Sequence, residues 1–236
     1  MPGMPAKTPA LAHSPLEPQL QRAGATMVAR HGWWVAAHFG SSAGELALCE
    51  TAVGLADRSD LGKLELRGEA SAVEQLVGQL SGGSVDPGDA LLAEGAWWCA
   101  VSRTHVIALC DAAETERLGA RAREAVRWTP GATATDVTTA YAAIGLLGPR
   151  TPDVLSELSD TEPPLGEDDV DTPAFDVLRL AAVPAMLLRA SAGRAVALTE
   201  AVRGAVLWNE IERAGREAGI GNVGMDAVTH LSPLAR

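Results

Sequence analysis

Apolar and polar residues alternate strictly over residues 63–67, which is the pattern of a half-buried β-strand. Two longer apolar runs, 97–102 and 105–110, are separated by two residues and are typical of a β-hairpin. Further strands are predicted at 25–30, 32–38, 134–138, 141–147, 175–180, 184–190 and 194–199. Strands therefore follow one another in pairs along most of the chain.

Segments with helical spacing of apolar residues lie between these pairs. Helices are predicted over 14–23, 42–52, 69–80, 112–127, 150–158 and 201–218. Ser42 followed by Glu45 forms a capping box at the start of the second helix. The Gly-rich segment 81–95 is predicted as turns and loop, and the acidic segment 160–172 as a solvated connection. Strand pairs separated by helices indicate an α+β fold with mainly antiparallel sheets.

The composition narrows the classes of partner. The chain has 236 residues and a formal net charge of −11, so it lacks the basic balance of a nucleic-acid-binding protein. Three cysteines without a C-x-x-C motif, and five histidines without metal-ligand spacing, indicate neither a metal site nor a disulfide framework. No apolar run reaches membrane-spanning length, and the N-terminus lacks a signal-peptide pattern. We therefore expect a cytoplasmic protein that binds neither nucleic acid nor membrane.

The segment 24–68 carries the most specific pattern in the chain. Its motif residues are Gly24, Ala25, Met27, Val28, Gly32, Trp33, Phe39, Gly40, Ser41, Glu45, Val53, Gly54, Leu55, Asp57, Ser59, Gly62, Lys63, Glu65, Arg67 and Gly68. Their order and spacing resemble the opening of the glycine cleavage T-protein (aminomethyltransferase) family. A long ordered series of this kind is far more specific than a single short motif.

Two later segments resemble the same family. Residues 136–155 are similar to a strand, Gly-Pro turn and helix that T-proteins share with the gamma subunit of heterotetrameric sarcosine oxidase. Residues 207–224 are similar to the family's helix and following Gly-rich turn. The resemblance covers about residues 14–231, with a poorly matching middle.

The resemblance implies a T-protein-like folate-binding domain, built as two joined halves with outer helices and no C-terminal barrel domain. It also implies tetrahydrofolate as the cofactor, bound as a flat pterin conjugate in a channel between the halves. On this basis we divide the chain into a disordered tail, 1–13, and an aminomethyltransferase-like folate-binding domain, 14–236.

Several family positions that carry chemistry are replaced. In T-proteins a hairpin with an Asp-Asp pair supplies the catalytic carboxylate, and the corresponding stretch here, 91–98, contains no aspartate. Glu94 is the only nearby carboxylate, so it is either a relocated acid/base or an ordinary solvated loop residue. The family's pterin-holding Glu is absent from 190–198, and its Arg-containing stretch is replaced at 226–231. We therefore expect no aminomethyl transfer in the glycine cleavage reaction.

Four residues are candidates for ligand binding. Trp97 and Trp98 point to opposite faces of a strand, so one can belong to the core while the other stacks on a ligand or partner. Arg189 can pair bidentately with a carboxylate such as a glutamyl tail, or lie free at the surface. Asp60 replaces a family position near the folate channel, or is an ordinary turn residue.

Two function hypotheses remain from the sequence. In the first, the protein belongs to tetrahydrofolate-linked one-carbon metabolism and binds a folate or related small molecule. If it is an enzyme, it is a tetrahydrofolate-dependent one-carbon transferase or demethylase. In the second, it is a non-catalytic, gamma-like subunit of a larger amine-oxidising complex, with a protein partner or a second copy of itself. Folate-dependent turnover or co-purification of a flavoprotein would separate the two.

Overall fold

The computed structural model describes residues 10–159 and 172–231, which contain fourteen strands and seven α-helices. The strands are β1 (Ala12–His13), β2 (Thr26–Arg30), β3 (Trp33–His38), β4 (Val53–Asp57), β5 (Gly62–Gly68), β6 (Ala90–Ala93), β7 (Ala96–Ser102), β8 (His105–Cys110), β9 (Ala132–Asp136), β10 (Tyr141–Leu147), β11 (Ala174–Leu180), β12 (Val183–Ser191), β13 (Arg194–Glu200) and β14 (Ile220–Asn222). The helices are α1 (Glu17–Arg22), α2 (Ser42–Thr51), α3 (Ala70–Ser81), α4 (Thr115–Val126), α5 (Thr151–Leu158), α6 (Gly204–Ala214) and α7 (Met225–Leu231).

The strands form three sheets. The six-stranded sheet has the order β11-β12-β13-β10-β4-β14, the five-stranded sheet β6-β7-β8-β5-β9, and the small sheet β1-β3-β2. Neighbouring strands are antiparallel except for the β1–β3 and β4–β14 pairs. The α+β, mainly antiparallel architecture with outer helices is therefore confirmed.

The five-stranded sheet is an insertion into the six-stranded one. Strands β4 and β10 are neighbours in the six-stranded sheet, yet β5 to β9 lie between them in sequence and form the other sheet. Between residues 10 and 159, the chain thus passes between the two large sheets twice, through the β4–β5 turn and the β9–β10 connection. These two connections lie side by side, because the ammonium of Lys63 donates both to the carbonyl of Ser59 in the first and to that of Thr138 in the second.

The two large sheets face each other across an apolar layer, and helices cover their outer sides. On β8, Val106 and Ala108 belong to the core beneath α3 and α4, whereas Ile107 and Leu109 belong to the layer between the sheets. Helices α1, α5 and α6 cover the other face of the six-stranded sheet. Because both faces of β7 and β8 are buried, their sequences are continuous apolar runs rather than alternating ones.

Two predicted segments differ in the structure. The segment 81–95 is not all loop, because its last part forms β6, an edge strand paired with β7. The helix predicted over 201–218 ends at Ala214, and β14 and α7 follow it. At Gly215 a Cβ atom would lie 2.7 Å from Ile220, so the chain turns back on itself where a helix would need that space.

The start of α2 also differs from the predicted capping box. The N-cap is Ser41, whose hydroxyl accepts from the backbone N–H of Gly44 at 3.2 Å. Glu45 bonds elsewhere, accepting from the N–H groups of Phe39 at 2.6 Å and Gly224 at 2.8 Å. Its carboxylate therefore joins the β3–α2 turn to the start of α7.

Three remaining predictions concern the N-terminal tail, the acidic loop and the absence of a membrane-spanning segment. The predicted tail lies outside the described residues as far as residue 9, while Ala12–His13 pair with β3. The acidic segment lies outside the described residues except for residue 172. Within the described part of the chain, no helix combines the length and apolar character needed to cross a bilayer.

Candidate functional site

The β4–β5 turn, residues 57–62, places charged side chains at one end of the inter-sheet layer. The carboxylate of Asp57 accepts from the N–H of Ser59 at 2.9 Å, an Asx turn that reverses the chain directly after β4. The carbonyl of Arg58 then accepts from the N–H of Leu61 at 3.0 Å. This local bonding directs Arg58 and Asp60 into the same opening, where both remain buried.

Lys63 fixes this turn from the first residues of β5. Its buried ammonium donates to the carbonyls of Leu61 at 2.8 Å, Ser59 at 3.0 Å and Thr138 at 3.2 Å. Three donors thus meet three acceptors, which is the complete bonding capacity of an ammonium group. Burial lowers the pKa of Lys63 to about 8, and the nearby charge of Asp60 opposes that shift.

A cavity of about 650 Å³ opens in front of Arg58 and Asp60. Its charged and polar lining comes from the β4–β5 turn, the end of β8, the β2–β3 turn, and α2 and α7. Those residues are Arg30, His31, Ser42, Arg58, Asp60, Asp111, Asp226, Thr229 and His230. Residues from five separated parts of the chain therefore converge on one opening, which we call the cleft.

The charges in the cleft are interleaved rather than of one sign. The buried guanidinium of Arg58 bonds Asp60 through Nε at 3.2 Å and Asp111 through Nη2 at 3.4 Å. On the rim, Arg30 pairs with Asp226 at 2.9 Å. A lining of this kind presents donors and acceptors together, and suits a ligand that carries both.

A second cavity, of about 1020 Å³, shares His31, Ala112 and Ala113 with the cleft and continues it. Its other walls are the start of α4, the first residues of β5 and the end of β9. His31 reaches it from a tight turn, because φ is 48° at His31 and 80° at Gly32, the left-handed pair of a type I′ hairpin. We refer to this cavity as the α4 extension of the cleft.

Of the predicted ligand-binding residues, the structure places Asp60 in the cleft. Arg189 lines neither of these two cavities, and its guanidinium bonds Asp176 on the neighbouring strand at 2.7 and 3.2 Å. A carboxylate partner is thus present, but it comes from the chain itself. Recognition of a ligand carboxylate by Arg189 stays a prediction.

The two tryptophans lie on opposite faces of β7, as the strand geometry requires. Trp98 is fully buried beneath α3 and α4, and its indole N–H donates to the carbonyl of Ala93 at 3.1 Å. Trp97 is 6 % exposed and packs in the layer between the sheets. Both rings are covered by protein atoms here, so stacking on a ligand stays a prediction that needs the inter-sheet layer to open.

Glu94 lies at the tip of the β6–β7 hairpin, away from the lining of both cavities. It has φ of 54° and is followed by Gly95 with φ of 75°, so the turn itself is a left-handed type I′ pair. Its side chain is 54 % exposed and its nearest cation, Arg121, lies 3.4 Å away. A catalytic role for Glu94 stays a prediction, with the turn conformation as its observed role.

The sequence interpretation missed most of the cleft. Arg58 was present in the motif that also contains Asp57 and Ser59, but nothing local distinguishes it from a surface arginine. The available signal was a run of charged residues, 57–63, between two apolar strands. Asp111 follows an apolar strand directly in the same way. Residues 226–231 stand out in the sequence only as a replacement of the family's Arg-containing stretch, and no helix is predicted there.

Two solved structures of known proteins share the fold of this chain. The fold is that of a solved glycine cleavage system aminomethyltransferase T from Bartonella henselae, with a TM-score of 0.76 at 13 % identity over 94 % of this chain. It is also that of a chain of heterotetrameric sarcosine oxidase from Corynebacterium sp. U-96, with a TM-score of 0.64 at 18 % identity over 89 % of this chain.

The family follows from the sequence itself. The model of the GCVT N-terminal domain family matches residues 16–232, so the protein belongs to that family. It spans 62 % of the Bartonella aminomethyltransferase and 97 % of the sarcosine oxidase chain. No curated protein sequence matches it.

Proposed function

We propose that this protein binds tetrahydrofolate or a closely related pterin conjugate in the cleft and its α4 extension. The observation that supports this is the cleft at the β4–β5 turn, together with its α4 extension, whose lining includes the family motif residues Trp33, Gly62 and Lys63. The volume of the cleft lies in the range of about 300–1000 Å³ that is usual for small-molecule sites. The proposal includes a cytoplasmic location, where one-carbon carriers are available.

The cleft supplies groups of the kinds such a ligand needs. Carboxylates such as Asp60 and Asp111 accept hydrogen bonds from ring N–H groups, and arginines bind carboxylates of an anionic tail. The rim pair Arg30–Asp226 is about one-third exposed on each side, so exchanging the Asp226 carboxylate for a ligand carboxylate costs little. The buried Arg58 would keep its orientation through Asp60 and Asp111 during that exchange.

The same proposal excludes aminomethyl transfer at the β6–β7 hairpin. Residues 90–110 contain no aspartate, and the positions that follow the hairpin turn are the buried Trp97 and Trp98. General acid–base groups typically contribute about 10²- to 10⁴-fold to rate. An assay with aminomethyl-lipoyl carrier protein and tetrahydrofolate should give turnover far below that of an authentic T-protein, and turnover within tenfold of it would contradict the proposal.

Calorimetric titration with tetrahydrofolate and 5,10-methylenetetrahydrofolate tests the binding site. We expect Asp60→Asn to weaken binding at least tenfold, because it removes both a cleft carboxylate and one of the two carboxylate partners of Arg58. The matched control is Asp176→Asn, the same substitution in an ion pair outside the cleft, which should change Kd less than twofold. The reversed pattern would favour the Arg189 site, and the absence of heat and thermal shift at millimolar ligand would rule out folate binding.

A second candidate function is a subunit of an amine-oxidising complex. It is favoured by the structural likeness to a chain of heterotetrameric sarcosine oxidase, which extends over 89 % of this chain with a TM-score of 0.64. Affinity purification from the native host, followed by mass spectrometry, should then recover a flavoprotein in stoichiometric amount. Folate-dependent turnover by the isolated chain would contradict this subunit hypothesis.

A further inference from the structure

Lys63 contacts both connections between the large sheets. Two of its acceptor carbonyls, Ser59 and Leu61, belong to the β4–β5 turn, and the third, Thr138, belongs to the β9–β10 connection. Its backbone repeats the link, since its N–H donates to Thr138 Oγ1 at 3.0 Å and its carbonyl accepts from Val137 at 2.9 Å. One residue therefore ties together the two places where the inserted sheet joins the rest of the protein.

The two connections are also walls of the proposed ligand site. The β4–β5 turn carries Arg58 and Asp60 into the cleft, and Thr138 lines the α4 extension. Both walls end in backbone carbonyls that point at the same nitrogen. One ammonium group therefore contacts both walls directly, at 2.8–3.2 Å, beside the backbone bonds of Lys63.

We propose that Lys63 is a positioning residue: its ammonium pins the β4–β5 turn to the β9–β10 connection and so fixes the cleft for its ligand. The effect on ligand affinity rests on the proposed function, whereas the pinning itself does not. The charged groups around the ammonium are Asp57, Asp60, Asp136 and Arg58. Of these, Asp60 and Arg58 belong to the cleft lining, so the Lys63 ammonium interacts electrostatically with residues that would contact the ligand.

A substitution can separate pinning from general stability. Lys63→Met keeps an unbranched side chain only one heavy atom shorter but leaves three buried carbonyls without their donor. The control is Val154→Ala, which removes buried volume from the outer core beneath α5 and does not touch the cleft. Comparing the two variants distinguishes local loosening of the β4–β5 turn and the β9–β10 connection from a general loss of stability.

Hydrogen exchange measured by mass spectrometry gives the first readout and needs no ligand. In Lys63→Met, peptides covering residues 57–63 and 137–143 should exchange at least tenfold faster than in the parent protein. Peptides from β11 to β13 should change less than those two segments. Equal acceleration across the whole protein, or the pattern seen in Val154→Ala, would overturn the proposal.

Tetrahydrofolate titration gives the second readout. Lys63→Met should raise Kd at least tenfold, while Val154→Ala leaves it within twofold. If the parent protein binds no tetrahydrofolate, the proposed function fails, and the exchange experiment still decides the role of Lys63. Unchanged exchange together with a normal Kd would overturn the inference while leaving the proposed function intact.

The parent protein provides a third measurement if Lys63→Met does not fold. The chain has one other lysine, Lys7, so Lys7→Arg with ¹⁵N-lysine labelling leaves a single ammonium signal. At pH 6–7 the Lys63 ammonium protons should exchange with water at least tenfold more slowly than those of free lysine. Exchange at the rate of free lysine would show that the contacts with the three carbonyls do not persist. It would overturn the proposal that Lys63 joins the β4–β5 turn to the β9–β10 connection.

Discussion

Glu45 makes the most testable structural contact in the molecule. Its carboxylate is 6 % exposed and accepts hydrogen bonds from two backbone N–H groups, one at Phe39 and one at Gly224. It also lies in the first turn of α2, where a negative charge favours the helix. One side chain thus satisfies a donor 6 residues before it and a donor 179 residues after it in the chain.

The cost of removing this contact can be estimated from its two bonds. A hydrogen bond to a charged group contributes about 1.5–3 kcal/mol, and a buried donor left without a partner adds its desolvation cost. Glu45→Ala should therefore lower the free energy of unfolding by about 3–5 kcal/mol. Glu45→Gln should cost about 2 kcal/mol, because its amide oxygen can serve one donor while its NH₂ group faces the other.

Urea denaturation followed by circular dichroism measures this difference. Glu50→Ala and Glu50→Gln are matched controls, since Glu50 is exposed on the same helix, and each should cost less than about 0.5 kcal/mol. Amide exchange at Phe39 and Gly224 should accelerate in the Glu45 variants alone. A cost below about 1 kcal/mol for Glu45→Ala would refute the argument that this carboxylate joins α2 to α7.

The remaining predictions concern packing and acidity. Gly224→Ala should destabilise strongly, because the new Cβ would lie 2.1 Å from a backbone carbonyl of β3, and thermal melting measures the loss. Trp98→Ala should lower the free energy of unfolding by about 3–5 kcal/mol, as measured in urea. Burial lowers the pKa of His105, and a hydrogen bond from Arg67 lowers that of Glu65. Both groups bind fewer protons when folded, so stability present above pH 6.5 should be lost as pH falls toward 4. His105→Gln should flatten that dependence, and an unchanged urea midpoint profile would contradict it.

The strands could be predicted where local pattern and burial agree. The β7–β8 hairpin was predicted within one residue, because apolar runs of that length, separated by two residues, leave few alternatives. The C-terminal β14 and α7 could not be predicted in the same way. Each is short, and each is held by contacts to distant residues, such as β4 for β14 and Glu45 for α7.

The cleft was only partly predictable for a related reason. Asp60 could be singled out because it replaces a family position beside the motif residues Ser59 and Gly62. Its neighbours Asp111 and Asp226 come from other parts of the chain, and the Arg58–Asp111 contact joins residues 53 positions apart. Arg189 differs in that its partner is close in sequence. Its guanidinium donates to the carboxylate of Asp176, 13 residues earlier on the adjacent strand.

The position of the tryptophans explains why the proposed site lies at the β4–β5 turn rather than at the hairpin. Trp97 packs in the layer between the sheets, and Trp98 packs in the core beneath α3 and α4. Both of these β7 side chains are therefore part of a hydrophobic core. A carboxylate at either position would be a buried charge without a partner, which costs several kcal/mol. At the cleft, by contrast, Asp60 and Asp111 already have a buried cation in Arg58, and Lys63 holds the turn that carries it. Under the proposed function, a charged ligand would therefore bind at the cleft without disturbing either core, whereas a carboxylate at position 97 or 98 of the hairpin would be buried without a partner.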